Sequence, residues 1–184
     1  KQKKDFVVVD LRKPKGVSAK EFVYQDLLKE NLNAELVKKA TVIINLVGSP
    51  MLRRFSVKNK ALMYQSRVFV TKKVVAQILK YANQKCVYMQ ASGTAIYKPS
   101  AQIITEVSEY GYGFLAELTK DWEDACSPLK DYLKRVVVLR QPIVLGNRGF
   151  LGVYKICKYL KLLPVFKLDN FKMSFIDSYD LASL

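Results

Sequence analysis

Three short apolar runs, each breaking into a turn of small residues, constrain this chain more than anything else in it. They are Thr41–Pro50 (TVIINLVGSP), Cys86–Tyr97 (CVYMQASGTAIY) and Arg135–Gly146 (RVVVLRQPIVLG). Continuous β-branched runs of this length suit strands buried on both faces of a parallel sheet. Segments with helical periodicity lie between them, which is the βαβ rhythm of a doubly wound α/β fold. In such sheets ligands bind outside the carboxyl ends of the strands, so the turns after the three runs are where function is expected.

The 184 residues suffice for one domain with a real core, and half of them are hydrophobic, which argues against disorder. No apolar stretch reaches the roughly 18–20 residues of a membrane span, and the opening KQKKDF has no signal-peptide character. The three cysteines, Cys86, Cys126 and Cys157, lack the paired spacing of a zinc site and the even count of a disulfide framework. They read as reduced thiols of an intracellular protein. There is no histidine, which excludes Ser-His-Asp and Cys-His nucleophilic schemes built from this chain alone. The net charge of +15 comes from 24 Lys and 7 Arg spread along the chain, with KQKK and the stretch Lys158–Lys161 the nearest things to patches. A solvated lysine-rich surface is expected rather than a nucleic-acid-binding face.

Phe6–Asp10 reads as a strand, followed by a turn that Pro14 and Gly16 keep non-helical. Glu21–Asp26 is a weaker strand, Asn33–Ala40 a short helix and Thr41–Leu46 a strong strand. Apolar spacing from Ser56 to Ala82 predicts one long helix. A strand at Cys86–Met89, a loop through Pro99, a helix over Tyr112–Cys126 and a strand at Arg135–Leu139 follow. Gly152–Leu160 reads as helix, Met173–Ile176 as a short strand, and Asp177–Leu184 as the first turn of a helix. A chain that opens on a strand and stops at a helix start is expected to be a fragment of a longer protein.

The ordered motifs VIINLVGSP, SRVFVTKKVV, QASGTAIYKPS, TEVSEYGYGFLAELTKDWEDA, VVVLRQPIVLG and MSFIDSYDLA resemble the atypical extended short-chain dehydrogenase/reductases, an NAD-dependent epimerase-like family. The resemblance runs in order from about Val7 to Leu184. It implies a Rossmann-like doubly wound parallel sheet binding NADP or NAD, here truncated at both ends. FVVVDLRKP looks like the family's second strand, so the family's opening strand, glycine-rich turn and helix find no match. One partial NAD(P)-binding domain over residues 1–184 is expected, with a substrate-binding part starting near 147–184.

The resemblance also assigns residues. Asp10 and Arg12 end the first visible strand, where a carboxylate can bind ribose hydroxyls and an Arg can pair with a 2′-phosphate; the Arg leans toward NADP(H). A surface turn of mixed charge would look the same. Asp26 matches the acidic residue that faces the adenine amino group. Leu46, Val47 and Gly48 resemble a turn whose missing side chain lets backbone lie close to ribose and phosphates. Ser66 and Arg67 match a helix segment beneath the cofactor; a phosphate or a structural ion pair would serve the Arg equally well. Ser92 and Thr94 stand where relatives place a hydroxyl that hydrogen-bonds a substrate oxygen. Pro142, Ile143 and Val144 match the segment that holds the nicotinamide carboxamide. Tyr97 and Glu106 could face a substrate or be structural, Trp122–Glu123 reads as core plus surface, and Arg140 reads as a structural anchor.

The usual catalytic partner is a Tyr-x-x-x-Lys pair, in which lysine lowers the tyrosine pKa. It should fall near Tyr110–Lys120 and does not occur there. Tyr81–Lys85 and Tyr154–Lys158 have the spacing in the wrong places, and so many Tyr and Lys supply such pairs by chance. The expected function is an NAD(P)-binding oxidoreductase or epimerase-like protein acting on a small, sugar-like substrate. The rival is a non-catalytic Rossmann-like module that senses a cofactor or binds a partner. A small-molecule substrate and a cytoplasmic or organellar location are expected, no membrane or nucleic-acid partner is, and a homodimer stays open.

Overall fold

The computed structural model describes residues 5–51, 53–146, 150–162 and 173–183. The KQKK opening therefore lies outside the described residues, as do 147–149, 163–172 and 184 of the expected substrate-binding part. The chain groups into two compact units. The first holds residues up to Gln90 together with Asp124–Val137; the second holds Ala91–Glu123 and Val138–Leu184.

In the first unit, β1 (Val8–Asp10) and β2 (Phe22–Tyr24) form a parallel pair with Val8 opposite Phe22 and Asp10 opposite Tyr24. Gly16 takes φ +84° in the turn between them, a value that L side chains rarely adopt. Helix α1 (Ala34–Lys39) starts where Asn33 accepts hydrogen bonds from the Glu35 and Leu36 amides, as an N-cap asparagine should. Strand β3 (Val42–Asn45) runs parallel to β4 (Val87–Gly93), with Val42 opposite Val87 and Asn45 opposite Gln90. Strand β5 (Arg135–Gln141) completes the order β3-β4-β5.

The long helix is present but interrupted. Helices α2 (Val57–Tyr64), capped by Ser56, and α3 (Val70–Tyr81) are joined by a π turn at Gln65–Phe69. The core against which they pack includes Met63, Val68, Ile78, Tyr88, Cys126 and Leu129, each fully buried. Inside it Asn45 donates to Thr71 Oγ1, Tyr88 Oη and Gln90 Oε1, all at 3.1 Å, while the Tyr88 hydroxyl donates to Gln90. Burial pushes the Tyr88 phenol above its ordinary pKa.

The expectation of strands buried on both faces holds for part of the sheet. Ile43, Asn45, Tyr88 and Gln90 share the covered face by their register. On the opposite face Val42 is 48% and Ile44 56% exposed. A β-branched run measures apolarity on both sides of a strand, whereas burial also requires a neighbouring layer on each.

In the second unit β4 ends in a 3-10 turn at Thr94–Ile96. Tyr97 and Tyr110 form an isolated antiparallel bridge that closes the intervening loop. Gly111 fits there because a Cβ would stand 2.9 Å from the Tyr97 carbonyl oxygen. Helix α4 (Phe114–Asp124) follows, with Ala116, Leu118 and Trp122 buried. A strand absent from the sequence reading, β6 (Ile143–Leu145), pairs in parallel with β7 (Phe175–Asp177). Helices α5 (Phe150–Tyr159) and α6 (Ser178–Ser183) flank that pair in sequence. Among the described residues no helix is long and apolar enough to cross a membrane, and no group of three His, Cys, Asp or Glu could hold a metal ion.

Candidate functional site

The candidate residues of the first unit stand at or near strand ends. Asp10 closes β1, and its carboxylate accepts from the amides of Leu11 and Arg12, the latter at 3.4 Å. Arg12 itself is exposed. Asp26, two residues past β2, accepts from the Leu28 amide at 3.1 Å and meets Lys29 at 3.6 Å. Both acids therefore brace their own turns, and a carboxylate has further lone pairs to offer a ligand hydroxyl.

After β3, the Val47 amide donates to Asn45 Oδ1 at 3.2 Å, so the buried polar cluster shapes the Leu46–Val47–Gly48 turn directly. Gly48 lies against Arg67: a Cβ at this position would come within 2.8 Å of the guanidinium carbon. Arg67 donates to the Ser49 carbonyl at 3.0 Å, and the Ser49 amide donates to Ser66 Oγ at 2.9 Å. The π turn thus sends both Ser66 and Arg67 up to the turn at the end of β3. Burial lowers the Arg67 pKa from its ordinary value, which marks a cation held with little water around it.

The second unit brings together residues far apart in sequence. Ser92, buried near the end of β4, donates its hydroxyl hydrogen bond to Glu123 on α4. Glu123 is gripped by Arg140 of β5, with Nε to Oε1 at 2.9 Å and Nη2 to Oε2 at 2.8 Å. Arg140 also donates to Tyr97 Oη at 2.7 Å, to Tyr110 Oη at 2.9 Å and to the Glu106 carbonyl at 3.0 Å. Its guanidinium carbon lies 5.1 Å and 5.4 Å from the two tyrosine ring centres. Hydrogen bonding to Glu123 above all, and to the two tyrosines against the opposing effect of burial, raises the Arg140 pKa from its ordinary value.

Ser92 and Thr94 differ in setting despite their closeness in sequence: Ser92 is buried and Thr94 exposed. Pro142 stands between β5 and β6, and Ile143 and Val144 are half-buried within β6, with the Ile143 amide donating to the Ser174 carbonyl at 3.3 Å. Arg140 is the anchor it was expected to be. Glu123 is not a surface residue, since its side chain is only 13% exposed; it turns inward to meet two partners that its own helix periodicity does not reveal.

No protein-family model matches the sequence. The chain is 32% identical over 135 residues to an epimerase family protein SDR39U1 homologue, described as chloroplastic, from Arabidopsis thaliana; the match covers 71% of this chain and 38% of the relative. It shares 28% identity and a TM-score of 0.73 with the crystal structure of a nucleoside-diphosphate sugar epimerase from Corynebacterium glutamicum, over 95% of this chain and 36% of that one. The human epimerase family protein SDR39U1, solved with NADPH, has the same fold at a TM-score of 0.72 and 22% identity, over 97% of this chain and 59% of that one. The chain thus matches well under half of the length of its plant relative. Sequence and fold together show a Rossmann-like α/β architecture and a likeness to epimerase family proteins of the atypical extended short-chain dehydrogenase/reductase type.

Proposed function

We propose that the chain carries the NAD(P)(H)-binding residues and reacting hydroxyls of an oxidoreductase or epimerase-like protein that acts on a small, sugar-like substrate. The observation that carries this reading is Gly48 over Arg67. A side chain at position 48 would fill the space above a desolvated cation, so a bare backbone turn with a positive floor stands at the end of a parallel strand. That arrangement suits the ribose and phosphates of a dinucleotide. Leu46, Val47 and Gly48 would line the cofactor with backbone, and Arg67 would lend positive charge beneath it. Asp10 would take ribose hydroxyls and Asp26 the adenine amino group. Arg12, exposed beyond β1, supports a 2′-phosphate and hence NADP(H), in keeping with the NADPH of the human neighbour.

In the second unit Pro142, Ile143 and Val144 would offer backbone to the nicotinamide carboxamide, and Ser92 and Thr94 would meet the substrate. A bound nicotinamide supplies the hydride acceptor or donor. Because the plant relative is described as chloroplastic, the cytoplasm and an organelle are both retained as locations for this protein. Fluorescence titration of the full-length protein with NADPH and NADH tests the proposal. Saturable binding with NADPH preferred is expected; absence of affinity for either would sink it.

A further inference from the structure

Arg140 has five N–H donors, and five acceptors receive them. Nε goes to Glu123 Oε1, Nη2 to Glu123 Oε2 and Tyr110 Oη, and Nη1 to Tyr97 Oη and the Glu106 carbonyl. A guanidinium used in full cannot rotate without losing several bonds at once, so the carboxylate in its fork is fixed in place. Tyrosine rings stacked on Arg140 restrict it further.

A carboxylate facing a guanidinium fork has only lone pairs to offer. The bond between Ser92 and Glu123 must therefore be donated by Ser92, which has a single hydroxyl hydrogen. What Ser92 can still present to a ligand is lone pairs. We infer that Glu123 and Arg140 are positioning residues that hold Ser92 as a hydrogen-bond acceptor, so that the substrate group meeting Ser92 is a hydroxyl rather than a bare carbonyl oxygen. This rests on the proposed function only in taking Ser92 as a residue that touches substrate.

A carbonyl at that point would face oxygen lone pairs with no hydrogen between them, whereas an alcohol brings its own. Ser92 held in this way favours the alcohol as the better-held member of an alcohol–carbonyl pair. Glu123 and Arg140 thereby have a task that a purely structural ion pair would not have.

The experiment uses the full-length protein with 13C-labelled serine in equal volumes of H2O and D2O. Slow exchange of the Ser92 hydroxyl splits its Cβ resonance into two lines through the isotope shift. Two lines are expected in the wild type, and one averaged line in Arg140→Lys, which keeps a charge but has three donors. A single averaged line in the wild type overturns the inference without recourse to any variant. Matched probes then test the acceptor role: 2-propanol is expected to shift the Ser92 resonance, and acetone at the same concentration is not. Equal shifts from both probes, or none from either, overturn it. NADPH titration of the same sample separates the two claims, because lost cofactor affinity with both lines intact refutes the cofactor reading and leaves the direction of the Ser92 bond standing.

Discussion

Gly48 and Arg67 are in such close contact that an added methyl carbon on the glycine would stand 2.8 Å from the guanidinium carbon and 2.9 Å from Nη2. The partner is the far end of a long side chain, so Gly48→Ala is expected to displace Arg67 rather than to block folding. Overpacking of this kind costs about 1–3 kcal/mol, read as a lower urea midpoint, with weaker NADPH binding alongside. Combining Gly48→Ala with Arg67→Ala should cost less than the two single effects added, since the second change removes the atoms that the first one strikes. Strict additivity would show that the two positions do not interact.

Arg140 and Glu123 are 18% and 13% exposed at their side chains, so neither is well placed to recover hydration if its partner is lost. Removing one member of a buried pair leaves the other uncompensated, at about 3–5 kcal/mol. Arg140→Met should fall in that range by chemical denaturation and should also free Tyr97 and Tyr110. A loss below about 1 kcal/mol, the scale of an exposed pair, would mean that the pair is effectively solvated.

Tyr88 sets the expected alkaline limit. Its phenol is buried, and its folded pKa is raised above the unfolded value of 10.0. A raised acid contributes stability that is intact below the unfolded pKa and is lost as pH climbs through the folded one. Denaturation midpoints should thus decline from about pH 10 upward. Tyr88→Phe should flatten that decline, while costing about 1–3 kcal/mol at neutral pH because the Asn45 and Gln90 amides lose a buried partner. An unchanged alkaline slope in the variant would remove Tyr88 as the cause.

Arg12 is exposed, so its replacement by alanine is expected to leave the thermal midpoint unchanged. A hydrogen bond to a charged group is worth about 1.5–3 kcal/mol, which corresponds to a loss of roughly tenfold to a hundredfold in NADPH affinity. NADH binding should not move. Parallel titrations with the two cofactors check this, and an equal loss for both would assign Arg12 a role other than 2′-phosphate recognition.

The strand-and-turn rhythm was legible because apolar periodicity and small-residue turns are local signals. Helix α1 could be found for the same reason: Asn33 caps it and sits beside it in sequence. Strand β6 lies within the apolar run RVVVLRQPIVLG but was not separated from β5, because its partner, Phe175–Asp177, lies some thirty positions away. The same distance problem hid Glu123, which is 31 residues from Ser92 and 17 from Arg140. No spacing rule connects them; only the folded chain does. The exposed face of β3 could not be foreseen either, since the run TVIIN reports what a strand could bury and not which layers surround it.

The π turn at Gln65–Phe69 has a consequence best expressed as counting. A regular helix advances about 100° per residue, and a π turn accommodates one residue more than the spiral otherwise would. The segments before and after it therefore keep their facing, while their sequence periodicities are offset by one residue. Deleting a single residue between Gln65 and Phe69 would close that turn into a uniform spiral and leave the flanking segments facing much as they do now, but without the widened turn that carries Ser66 and Arg67. Substitutions that preserve helicity would leave the cation beneath Gly48; a change in length would remove it. Its location is thus written in the number of residues as much as in their identity.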